Sequence, residues 1–195
     1  MSVLKDLQPE RVFYYFEEIT KIPHGSGNTK QISDYLVGFA REHGLKYIQD
    51  ESNNVIIFKD ASKGYEKAPC VILQGHMDMV CEKTPESSHD FTKDPLELVV
   101  EGDYVSAKDT TLGGDDGIAV AYALALLEDD SLCHPALEVL ITVDEEIGLL
   151  GAAALDTTPL KGRYLINLDS EEEGYLWVGC AGGLTAQTNI PVKYQ

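Results

Sequence analysis

The sequence predicts an α/β fold, a largely parallel mixed sheet flanked by helices. Three observations carry that prediction. Val55-Ile56-Ile57-Phe58, Val71-Ile72-Leu73 and Leu137 to Val143 are short continuous apolar runs, the pattern of strands buried on both faces. Stretches with an apolar period of 3.6 precede and separate them. In the second half strand, helix, strand, helix and strand alternate, the order that builds a sheet through crossover units.

Pro9 to about Ile22 reads as a helix, with Val12, Phe13, Phe16 and Ile19 on one face, Pro9 at its start and Pro23 ending it. The loop His24-Gly25-Ser26-Gly27-Asn28 follows. A second helix spans roughly Thr29 to His43, with Ile32, Tyr35, Leu36 and Phe39 inward and Gly44 just past its end. Leu96 to Val100 and Tyr104 to Ala107 flank Glu101-Gly102-Asp103 and predict a hairpin. Gly117 to Leu127 is an Ala-rich helix, Leu149 to Leu155 a short helical piece, and Tyr164 to Leu168 the next strand. The pattern changes after the flexible Gly179-Cys180-Ala181-Gly182-Gly183, which places a boundary near residue 183. Residues 184–195 alternate loosely like a strand.

Composition narrows the function. The 195 residues include 33 acidic against 15 Lys and Arg side chains, a formal net charge of −18. Such a chain lacks the basic stripe of a nucleic-acid binder and is repelled by anionic membranes. With 44% hydrophobic residues it is a folded globular chain. No secretory signal stands at Met1-Ser2-Val3-Leu4-Lys5-Asp6, and no apolar run has the roughly 18 residues of a membrane helix. Cys70, Cys81, Cys133 and Cys180 form no C-x-x-C pair, which favours a reduced, cytoplasmic location, and Cys70 and Cys180 are expected to be buried.

The polar residues fall where the strands end, the edge at which open α/β sheets gather ligands. His76 and Asp78 are two apart and point the same way on extended backbone, an imidazole beside a carboxylate. Thr110-Thr111-Leu112-Gly113-Gly114-Asp115-Asp116-Gly117 precedes a helix; its aspartates fit helix capping or a ligand, and no Walker lysine follows. In Val143-Asp144-Glu145-Glu146 the neighbouring carboxylates repel unless a cation or proton stabilises them, so that one can bind metal while the other acts as a base; a solvated acidic turn is the alternative. Asp169 ends the last strand, and Glu171, Glu172 and Glu173 read as a solvated run. His76 and Asp115 are 39 residues apart, Asp115 and Glu146 31, and Glu146 and Asp169 23, each about one crossover unit, so all four can reach one sheet edge.

Gly75-His76-Met77-Asp78, Gly113-Gly114-Asp115-Asp116-Gly117, Asp144-Glu145-Glu146-Ile147-Gly148 and Asn167 to Gly174 resemble, in order and spacing, the co-catalytic zinc peptidases of the M20 type. His89-Asp90-Phe91-Thr92-Lys93-Asp94-Pro95, Thr110-Thr111-Leu112-Gly113 and Gly179 to Gly183 are similar to the branch of aminoacyl-histidine dipeptidases, also called cytosolic non-specific dipeptidases. The resemblance implies a zinc-exopeptidase-like catalytic domain, truncated, with residues 1–183 as its N-terminal part and 184–195 the start of a lid or dimerisation domain. It implies two zinc ions, replaceable by manganese or cobalt. His76 and Asp169 would hold one, Glu146 the other, and Asp115 would bridge them. It further implies Glu145 as general base, Asp78 as the residue orienting His76, and a cis Asp115-Asp116 peptide. Three carboxylates against two dications leave one positive charge, which a single hydroxide would cancel.

The implied substrate is a dipeptide, of Xaa-His type or broader, and the full-length protein would be a homodimer. The family also has a distal His ligand far downstream, whereas His24, His43, His76, His89 and His134 all precede Asp169. An aminopeptidase, tripeptidase or deacylase with the same metals is one alternative. A non-catalytic fragment is another.

Overall fold

The computed structural model describes residues 2–170, 172, 174–183 and 186–193. A five-stranded sheet forms its centre, built from β1 (Lys46–Gln49), β2 (Val55–Lys59), β3 (Val71–His76), β6 (Leu137–Thr142) and β7 (Tyr164–Asn167), in the order β1-β2-β6-β3-β7. A separate two-stranded sheet pairs β4 (Leu98–Glu101) with β5 (Tyr104–Ala107), the predicted hairpin. The main sheet is mixed. β3 runs parallel to both β6 and β7, while β2 is antiparallel to β1 and β6. The parallel character is thus confined to β6-β3-β7, the three strands that end at the predicted acids.

Register aligns the ends of these three strands. His76 at the end of β3 lies opposite Thr142 at the end of β6, and Gln74 lies opposite Asn167 at the end of β7. The next residues of each chain segment therefore emerge at one edge.

Side-chain alternation along the strands sorts the core into two layers. Val55 and Ile57 of β2, Leu73 of β3 and Val139 and Ile141 of β6 face three helices, α1 (Glu10–Ile19), α2 (Lys30–Glu42) and α3 (Gly114–Glu128). The helices answer with Val12, Phe16 and Ile19, with Ile32, Leu36 and Phe39, and with Val120, Leu124 and Leu127. Ile56, Ile72 and Leu140 face the other way, against Leu155 and Leu160. Two buried charges tie the layers. Lys59 Nζ donates to the carbonyls of Leu127 (2.9 Å) and Asp129 (3.0 Å) at the end of α3, where the helix dipole favours a cation. Glu138 accepts the Lys161 (2.9 Å) and Gly162 (3.0 Å) N–H groups, which fixes the chain as it enters β7.

Four readings need correction. β1 has no continuous apolar run and was not expected; it is a half-exposed strand at the sheet edge. β7 departs from the buried pattern expected of the apolar run Tyr164 to Leu168: all four of its residues are exposed, and at the sheet edge only β3 pairs with it among the described residues. Cys180 is exposed, as are all of residues 174–183, and Cys70 is only partly buried, just before β3 and beside Glu138. Residues 186–193 carry no strand. Glu171, Glu173, Leu184, Thr185, Tyr194 and Gln195 lie outside the described residues; Glu172 is exposed, as a solvated run requires.

Among the described residues no helix is long and apolar enough to cross a membrane.

Candidate metal centre

The site begins with backbone that only particular residues allow. Gly75, the penultimate residue of β3, lies so close to α3 that a Cβ there would come within 2.5 Å of Asp116 Oδ2 and 3.0 Å of Ala119 Cβ. Gly113 has φ +70°, which glycine adopts at little cost, and turns the chain into α3. Regular helix starts only after the aspartates, since Asp115 and Asp116 have non-helical backbone and the peptide between them is cis, as the resemblance implied. The aspartates do not act as caps: their carboxylates engage His76 rather than an N–H of α3. Asp116 is instead buried, and its Oδ2 accepts the His76 N–H (3.1 Å).

His76 is fully buried at 0% exposure. Its Nδ1 lies 2.9 Å from the Asp78 carbonyl oxygen and 3.4 Å from Asp78 Oδ1, and its Nε2 lies 3.0 Å from Asp115 Oδ1 and 3.9 Å from Glu145 Oε2. Asp78, 1% exposed, accepts the N–H of Glu145 (3.0 Å), the N–H of Glu146 (3.4 Å) and the Ser26 hydroxyl (2.8 Å). The imidazole is thus gripped from its Nδ1 side, and Nε2 faces the acids.

Among the described residues, two groups of side chains approach closely enough to hold an ion. His76, Glu145 and Asp169 place ligand atoms within 4.8 Å of one another, and so do His76, Asp115 and Glu146. Asp115 borders two hollows, one of about 300 Å³ that it shares with Glu146 and one of about 240 Å³ that it shares with Asp169. Larger hollows elsewhere, about 500 Å³ beside Thr110, about 540 Å³ between α1 and α3 and about 370 Å³ between α1 and α2, contain none of these side chains. Every residue singled out from the sequence, His76, Asp78, Asp115, Glu145, Glu146 and Asp169, is therefore brought to one edge.

The electrostatics describe a site short of positive charge. Burial alone would lower the His76 pKa, but hydrogen bonds to Asp78 and Asp115 outweigh it and push it up to about 10. Burial pushes Asp116 up to about 7, against the opposing His76 N–H bond. Glu145 and Glu146 are raised, first by burial and then by the neighbouring carboxylates. Asp78 goes the other way: burial raises it, yet the bonds from His76, the Glu145 N–H and Ser26 hold it below the usual carboxylate range. The field that holds a proton on His76 is the field that attracts a dication. One imidazole with several carboxylate oxygens is a donor set that suits Zn²⁺. The residues present fit a metal.

Sequence reasoning missed three participants. Asp116 acts through the His76 backbone rather than as a cap. Ser26 and Gly27 reach the site from a loop that had been read only as a connection. The glycines of that loop were the available signal, since they allow backbone to approach another strand closely.

A mixed α/β sheet with His, Asp and Glu side chains clustered at the carboxyl edge of its parallel strands is an architecture the chain shares with known peptidases. No protein-family model matches the chain. It is 44% identical over 190 residues to the cytosol non-specific dipeptidase of Escherichia coli (strain K12), a match that covers 97% of this chain and 39% of the relative. The crystal structure of aminoacylhistidine dipeptidase from Vibrio alginolyticus superposes with a TM-score of 0.85 at 42% identity, over 88% of this chain and 35% of that one. A tripeptidase from Staphylococcus aureus gives 0.70 at 26%, over 83% and 43%. The chain is thus similar to the N-terminal portion of named peptidases, as its motifs led one to expect, and it spans about two fifths of the curated relative's length.

Proposed function

We propose that the protein is a metal-dependent dipeptidase of the cytosol, acting on Xaa-His dipeptides or more broadly. The observation that carries this reading is the convergence of His76, Asp115, Glu145, Glu146 and Asp169 in a chain 44% identical to a dipeptidase. His76, Asp115, Glu146 and Asp169 would hold two Zn²⁺ ions, for which Mn²⁺ or Co²⁺ could substitute: His76 and Asp169 on one, Glu146 on the other, Asp115 between. When bound, the ions supply Lewis-acid polarisation of the scissile carbonyl and acidify water.

The chain's own residues do the rest. Glu145 takes the proton of the attacking water and delivers it to the leaving amine, and its raised pKa suits a group that must both accept and return a proton. Asp78 keeps the Nδ1 side of His76 engaged, so that Nε2 faces the centre. On the same reading residues 1–183 are the N-terminal part of the catalytic domain, 184–195 begin a lid or dimerisation domain, and the protein works as a homodimer.

The test is Glu145→Gln in the native protein. Metal content should stay at the wild-type level while kcat on dipeptides falls roughly 1,000-fold, within the range of general-base removal. Wild-type kinetics in that variant remove Glu145 from the mechanism. The likeness to a tripeptidase motivates the second reading, so Xaa-His dipeptides, tripeptides and acylated amino acids should be compared as substrates. Preference for a tripeptide would favour that reading.

A further inference from the structure

We infer that the His24–Asn28 loop is a positioning element of the acidic edge, and that Ser26 is a positioning residue for Glu145 and Glu146. The kinetic part of this inference rests on the dipeptidase reading.

The loop connects α1 to α2, far in sequence from the strand ends it touches. Its backbone is stitched to the residue after Asp78 in both directions: Met79 N–H donates to the His24 carbonyl (3.2 Å), and Ser26 N–H donates to the Met79 carbonyl (3.3 Å). Two polar contacts then reach the acids. The Ser26 hydroxyl donates to Asp78 Oδ2 (2.8 Å), and Gly27 N–H donates to Asp144 Oδ1 (2.7 Å).

Both contacts bear on one turn. Asp78 Oδ2, which Ser26 engages, also accepts the Glu146 N–H, and Oδ1 of the same carboxylate accepts the Glu145 N–H. Asp144 opens the turn with φ +52°, a left-handed conformation in which a non-glycine residue needs support, and Gly27 holds its side chain. The turn must be held because adjacent residues diverge. Glu145 joins His76 and Asp169, whereas Glu146 joins His76 and Asp115. A rotation that improved one placement would spoil the other. Ser26 touches neither glutamate side chain in any hydrogen bond, so its influence passes through Asp78. Removing its hydroxyl leaves a buried carboxylate one donor short, free to turn toward the imidazole or away from the two N–H groups.

The experiment compares wild type, Ser26→Ala and Ser26→Thr in the native protein. In metal-free protein, amide exchange at Glu145 and Glu146 should be at least tenfold faster in Ser26→Ala, with core amides unchanged. In metal-loaded protein, kcat should fall roughly tenfold or more with KM within twofold, since misplacing a reacting group costs turnover rather than binding. Ser26→Thr keeps the hydroxyl and should restore both readouts. Unchanged exchange at the two amides overturns the inference, as does an unchanged kcat. A fall in melting temperature with kcat per folded molecule intact also overturns it, by assigning Ser26 to stability alone. If the wild type hydrolyses no dipeptide, the functional reading fails, and the exchange data still decide whether Ser26 holds the turn.

Discussion

β6 and β7 both lie parallel to β3 and both deliver acids to its carboxyl edge, yet from opposite surroundings. Every residue of β6 is buried and every residue of β7 is exposed. Glu145 and Glu146 therefore follow a strand fixed by packing on both faces. Asp169 follows a strand fixed by its ladder to β3 and by Glu138, which holds Lys161 and Gly162 at its entry. The difference teaches that register alone can place a side chain at this edge, while burial decides how much stability depends on it. Changes on the β3-β6 side should cost the fold, and changes on β7 should cost little.

Among changes at the site, Gly75→Ala should have the largest effect on stability. The new methyl would meet Asp116 Oδ2 at 2.5 Å and Ala119 Cβ at 3.0 Å. Relief requires Asp116 to give up the His76 N–H, or α3 to move. Overpacking with a lost charge-assisted bond should cost about 3 kcal/mol, read as a shift of the urea midpoint at constant m-value. A loss below about 1 kcal/mol would mean that this half of the site yields easily, and the contrast with β7 would narrow.

The packed half also contains a pH-sensitive contact away from the site. Burial alone would raise the pKa of Glu17, but the Leu4 N–H, the Ser2 hydroxyl and the Val3 N–H, all bonded to its carboxylate at 2.7–2.9 Å, lower it overall. A carboxylate whose pKa is depressed by folding stabilises the fold above its unfolded pKa, about 4.3 for Glu, and that contribution fades as pH falls through the folded value. Wild type should therefore exceed Glu17→Gln by roughly 1 kcal/mol at neutral pH. The gap should close on acidification below about pH 4, as followed by urea unfolding at a series of pH values. A gap independent of pH would mean that the carboxylate's charge contributes nothing.

Most of this was legible because packing and chemistry left periodic marks. The continuous apolar runs of β2, β3 and β6 announced burial on both faces, and Val12, Phe16, Ile32 and Leu36 announced the inner faces of α1 and α2. His76, Asp115, Glu146 and Asp169 stood out because each ends a strand or opens a helix at crossover spacing. What escaped is what only a partner in space defines. β1 is a strand because β2 pairs with it, since its own pattern is that of half-exposed chain. Asp116 looked like a cap until the β3 backbone supplied it with a donor, and Ser26 is 52 residues from Asp78. An apolar run alone could not show whether both faces of Tyr164–Asn167 are covered, because burial belongs to the neighbours as much as to the strand.

The smallest effect should come from Leu165→Ser on β7. Leu165 pairs with Ile72 across the parallel ladder, but its side chain is 55% exposed, so truncation gives up little buried apolar area. Unfolding free energy should change by less than about 0.5 kcal/mol, as for surface positions in general. Leu140→Ser on β6 is the matched control: that side chain is 4% exposed, and replacing it with a hydroxyl should cost about 3 kcal/mol. The ratio of the two losses measures the asymmetry between the strands directly. Equal losses would mean that in the protein as tested another surface lies over β7, and that Asp169 is held by packing just as Glu145 and Glu146 are.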